Sequence, residues 1–139
     1  MNFQLTRPHE PDVPTVNATL WIIASVLAAA FLAAGLMKTT RTREKLIASG
    51  MNWAEEFSPA AVKGIGAVEA LGALGLILPA ALDIAPVLVP LAATGLVLTM
   101  LGAVGFHVRR KEIKESVPSL VLLILAAVVA WGRFGPYAF

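Results

Sequence analysis

The stretch 19–37, TLWIIASVLAAAFLAAGLM, carries no charged side chain along its whole length. At about 1.5 Å of rise per residue it reaches roughly 28 Å as an α-helix, close to the hydrocarbon thickness of a bilayer. It is longer than the apolar region of a usual secretory leader and has no basic segment directly before it, so a membrane span is expected rather than a cleaved signal. Composition points the same way. Of 139 residues, 58% are hydrophobic and 14% charged, where a soluble domain carries about a quarter charged residues. So much apolar surface cannot be hidden inside a domain this small, and lipid must solvate it.

Three further apolar runs follow. Ser58 is a good N-cap and Pro59 suits the first helical position, opening PAAVKGIGAVEALGALGLILP, which Pro79 is expected to end. A short turn, AALDIA, leads to 86–107, with Pro90 tolerated in its first turn. After the charged HVRRKEIKES, Ser116 and Pro118 open the last run, 117–134. None alternates as a membrane barrel strand would. The predicted fold class is all-α, an integral membrane four-helix bundle with helices at about 19–37, 59–79, 86–107 and 117–134. One transmembrane domain (19–139) then follows a polar tail (1–18) punctuated by Pro8, Pro11 and Pro14. Between the first two spans, TREKLIASGMNWAEEF has helical spacing at Leu46–Ile47 and Trp53–Phe57, interrupted at Gly50, which predicts short interfacial helices.

The basic residues set an orientation. Lys38, Arg41, Arg43, Lys45 and Lys63 flank the first connection, and Arg109, Arg110, Lys111 and Lys114 the third; only Arg7 and Arg133 lie elsewhere. The positive-inside rule puts these two loops in the cytoplasm and both termini outside, in the plasma membrane of a bacterium. Trp21 and Trp131 then fall in one outer aromatic belt.

Glu69 is the one acid deep within an apolar run, about 15 Å along its helix. A bare carboxylate there is expensive, so it should face the bundle and either find a partner or stay protonated. At helical spacing it is surrounded by Gly66, Gly72 and Ala73. These small residues suit a close helix contact or a hollow for a ligand. The carboxyl therefore reads either as interhelical hydrogen-bond glue or as a proton-handling or ligand-binding group. No lysine or arginine is expected at its depth; Lys63 should reach toward the headgroups. Thr99 and Ser25 are its candidate partners. His107 ends the third run on a face shared with Met100, Ala103 and Val104, and reads as an interfacial histidine or a proton relay at a pocket mouth. Gly66, Gly72, Gly102 and Ala103 are expected to mark a seam between the second and third spans.

Several chemistries are excluded or unsupported. Without cysteine there are no disulfides and no iron–sulfur or cysteine-zinc sites. The second histidine, His9, lies in the tail and cannot face His107 across a haem. No residue cluster has metal-ligand spacing, no nucleophile–base pair is visible, and a formal charge of +2 does not call for nucleic acid.

The segments FLAAGLMK, FSPAAVKGIGAVEALGALGLILP, LAATGLVLTMLGAVGFHVRR and VVAWGRFGP together resemble the DoxX-like family of small four-helix bacterial membrane proteins, over about residues 20–136. The family takes its name from a small subunit of a thiosulfate:quinone oxidoreductase. Related proteins are associated with oxidative-stress membrane complexes, and distant relatives with membrane-protein assembly. The resemblance implies a membrane subunit or anchor of a quinone-linked or redox-stress complex, with a quinone or lipid as candidate ligand near Glu69 and membrane or peripheral redox proteins as partners. No redox centre or catalytic motif is encoded, so such a chain is at most a non-catalytic subunit of an oxidoreductase. Two alternatives stay open: a non-enzymatic assembly factor, and a small proton-coupled transporter built as a homodimer around Glu69. Bound quinone in purified protein would favour the first reading, one dominant co-purifying membrane partner the second, and saturable uptake lost in Glu69→Gln the third.

Overall fold

A computed structural model describes residues 13–139. The expected tail up to residue 12, with Arg7, Pro8, His9 and Pro11, lies outside the described residues. Four helices are long and apolar enough to cross a membrane: α1 (Val13–Thr40), α3 (Pro59–Ala81), α4 (Leu88–Arg109) and α5 (Ile113–Phe134). A short helix α2 (Arg43–Ala48) and a 3-10 turn (Asn52–Glu56) fill the first connection.

Local chemistry explains the boundaries. Ser58 caps α3, its Oγ accepting from the Ala61 amide at 3.1 Å, and Thr42 caps α2 by accepting from Lys45 at 3.2 Å. Gly50, at φ 105°, takes the left-handed turn that separates α2 from the 3-10 turn. Six of the eight span limits differ from expectation, among them the end of α1 at Thr40 and both ends of α4. α1 is already helical at Val13, the first of the described residues and ahead of the expected start at 19. α3 continues past Pro79 to Ala81; the proline gives up its own amide bond, but the ladder resumes beyond it, with the Leu82 N–H donating to the Leu78 carbonyl at 2.9 Å. α5 begins at Ile113 and takes Pro118 into its body.

The helices form a ring in which α1 packs on α3 and α5, and α4 on α3 and α5. Leu27, Phe31, Ala73, Leu76, Ala93, Leu96, Ala126 and Val129 fill the centre. Outside, Ile22, Leu71, Leu98 and Ile124 are exposed, as a lipid-facing surface requires. The first connection is not merely spread on the membrane. Leu46 and Ala54 are buried against Val62, with Met37, Trp53 and Phe57 packed around them, so the loop roofs one end of the bundle. The third connection shares that end: Phe57 meets Phe106 at 5.3 Å between ring centroids, and Arg110 pairs with Glu56 at 3.0 Å. At the opposite end the buried Arg133 donates to Asn17 Oδ1 at 2.7 Å and to the Tyr137 carbonyl at 2.9 Å, with its guanidinium 3.9 Å from the Phe139 ring centroid.

Candidate functional site: a buried ion pair beneath the basic loops

The site is built on a close crossing of α1 and α3. Gly35 and Gly66 bring the two backbones into contact: a Cβ on Gly35 would lie 2.5 Å from the Gly66 carbonyl oxygen, and one on Gly66 would lie 2.8 Å from that of Gly35. One helical turn beyond each glycine stands a charge, Lys38 on α1 and Glu69 on α3. Helical side chains lean toward their own N-terminus. In this antiparallel pair Lys38 leans into the membrane and Glu69 leans toward the roofed end. They converge, and Lys38 Nζ donates to Glu69 Oε1 at 2.6 Å. Glu69 is 1% exposed. The ammonium also lies 5.2 Å from the centroid of Trp53, so the 3-10 turn closes over the pair.

Beside the pair is a cavity of about 900 Å³. It exists because α3 and α4 are tight only near their connecting turn. There Gly75 faces Ala92 and Gly72 faces Leu96, whose Cδ2 would lie 2.7 Å from an added Cβ. Nearer the basic loops, the space between Ile65 and Glu69 of α3 and Thr99, Ala103 and Phe106 of α4 is left open. Trp53, Glu56 and Phe57 line it from the roof, and Lys38, His107, Arg109 and Arg110 supply its polar surface. His107 Nδ1 is buried and makes no hydrogen bond among the described residues; Glu112 Oε2 is 3.5 Å away. Chemically, this is an apolar, aromatic-walled pocket with a few convergent donors, the usual construction of a small-molecule site.

The family profile described as DoxX-like matches residues 22–129, a stretch that includes every wall of this cavity. The chain belongs to the DoxX-like family. Searches of curated proteins and of solved structures found no match. In this DoxX-like chain, Glu69, Thr99, Met100 and His107 all line the one cavity. Ser25 does not join them. Its hydroxyl donates to the Trp21 carbonyl of its own helix at 2.8 Å, and that of Thr99 donates to Gly95 at 2.9 Å, so neither partners Glu69. Ala73 lies in the central core and Gly72 in the α3–α4 contact. Gly66 instead faces α1, while Gly102 and Ala103 border the cavity rather than a seam.

The expectation that no cation reaches the depth of Glu69 is overturned. Lys38, read as a loop residue, belongs to α1 and points inward. A signal for it was present: Gly-x-x-Lys at 35–38 and Gly-x-x-Glu at 66–69 place a glycine one turn before each charge. Two such stretches on neighbouring antiparallel helices can cross at their glycines and pair their charges.

Proposed function

We propose that this DoxX-like protein is a ligand-holding membrane subunit of a quinone-linked redox complex, with the quinone headgroup in the cavity beside Lys38 and Glu69. The observation that carries the reading is the cavity itself, whose aromatic walls meet donors set at its polar edge. A quinone ring is flat and apolar with acceptor oxygens at its rim. Phe57, Phe106 and Trp53 suit the ring, while the remaining N–H groups of Lys38 and the imidazole of His107 suit the oxygens. The residues present therefore fit the group. When bound, a quinone would supply the electron-accepting chemistry that these side chains lack. Lys38 and His107 would orient it by hydrogen bonds, and the roof would keep bulk water from the pair. Electrons would come from a redox partner docked on the basic loops, where Arg109, Lys111 and Lys114 are exposed. We place those loops in the bacterial cytoplasm on the distribution of lysine and arginine. Protein purified from native membranes in mild detergent tests the reading. Organic extraction should yield near-stoichiometric quinone from wild type and severalfold less from a cavity-filling Ala103→Phe that folds normally. Equal quinone in both, at the level of the surrounding lipid, would refute it.

A further inference from the structure

The cavity is not closed toward lipid. Its wall includes Leu101, Gly102 and Gly105, which are exposed on the outer side of α4, and a Cβ on either glycine would meet nothing within 4 Å. Around α4, then, the wall runs from His107 on the bundle side to a shallow trough on the bilayer side. Side chains are missing from the trough where a lipid chain would lie. The polar end of the cavity has its own preference. Lys38 is paired with Glu69 and Arg110 with Glu56 and Glu112, while Arg109 makes no ion pair among the described residues; the buried His107 Nδ1 makes no hydrogen bond among them and lies 3.5 Å from Glu112 Oε2. Such a lining selects a head rich in hydrogen-bond acceptors and neutral or anionic in charge.

We infer that the cavity is loaded sideways from the bilayer by a tailed amphiphile, with an oxygen-bearing head between Lys38 and His107 and a tail leaving across Gly102 and Gly105. This rests on the cavity being a ligand site, as proposed above, but not on the ligand being redox-active. The shared chemistry is an acceptor head on an apolar tail, which a prenylated quinone and an anionic phospholipid both possess. A ligand of this kind reaches the site without crossing water, and the trough adds tail contacts that the head alone cannot make.

Trp53 makes this measurable because it lines the cavity, whereas Trp21 and Trp131 lie toward the other end of the bundle. With Trp21→Phe and Trp131→Phe, Trp53 becomes the sole indole reporter. In phosphatidylcholine nanodiscs it is titrated with three probes: a decyl-substituted benzoquinone, the same ring without its tail, and phosphatidylglycerol brominated near the ester end of its acyl chains. A chain keeping only Trp131 reports quenching by probe merely dissolved in the bilayer. We expect saturable Trp53 quenching by a tailed probe, at least tenfold tighter than by the bare ring and weakened at least tenfold by Gly102→Leu. Folding of that variant is checked by circular dichroism, and Gly105→Leu provides a second block.

If the brominated phospholipid alone saturates, sideways loading stands and the quinone reading falls. If the decylquinone and bare ring bind equally and neither glycine variant matters, sideways loading is overturned while a quinone site survives. Quenching of Trp53 no stronger than that of Trp131 with every probe would overturn both.

Discussion

A lysine and a glutamate in hydrocarbon are each expensive, and together they are tolerable only while both are present. Removing one member leaves an uncompensated charge in the bundle, which costs roughly 3–5 kcal/mol when a buried pair is broken. Lys38→Met should therefore destabilise the detergent-solubilised protein by about that amount in chemical unfolding. Glu69→Gln should also be costly, because it strips Lys38 of its counter-charge. The double variant Lys38→Met with Glu69→Met should recover most of the loss, since apolar side chains of similar volume often replace a buried pair without penalty. Additive losses in the double variant would mean the two side chains are not coupled in the folded protein. Glu69 was legible in the sequence because an acid inside an apolar run stands out against its neighbours. Lys38 was not, because a lysine at the end of an apolar run usually marks where the chain leaves the membrane. Its partner lies in another helix, and only the crossing of α1 with α3 reveals the pair.

The glycines separate into those that hold helices together and those that leave space. Gly35 is set against backbone atoms, the Gly66 carbonyl oxygen and the Ala70 nitrogen, which cannot move aside as a side chain can. Gly35→Ala is expected to push α1 from α3, to cost at least the ~1–3 kcal/mol typical of overpacking, and to lengthen the Lys38–Glu69 contact. Gly72 faces the flexible end of Leu96, so Gly72→Ala should be milder and only Gly72→Leu should approach that range. Gly95 faces open space, and Gly95→Ala should be neutral or should raise stability by up to about 1 kcal/mol through helix propensity. Thermal unfolding of the four variants in one detergent checks the order. A Gly35→Ala variant as stable as Gly95→Ala would contradict the close crossing. Helix number, the Ser58 cap and the break at Gly50 could be read from the sequence because each depends on neighbours a few residues away. The pairing of Gly66 with α1 rather than α4 could not, since a small residue shows that something approaches without showing what.

Across the whole molecule, polarity is unequally divided. The basic loops, the ion pair and the cavity share one end, while the other end is closed by the Arg133 cluster and the aromatic residues around it. The proposed orientation puts the first end in the cytoplasm. Because the chain has no cysteine, single replacements report without background. Thr15 and Ser49 are both exposed, at opposite ends of the bundle. An impermeant maleimide applied to intact cells should label Thr15→Cys and spare Ser49→Cys; the reverse labelling would invert the orientation and leave the fold untouched. The ion pair has an electrical consequence as well. Lys38 and Glu69 lie within membrane-spanning helices but carry no net charge between them, so a transmembrane voltage meets them only as a short dipole. At about 2.3 kcal/mol per elementary charge per 100 mV for a full crossing, either group alone would feel a share of that work set by its depth. Neutralising one partner would turn the other into a voltage-sensing charge, and the pairing uncouples the bundle from the membrane potential.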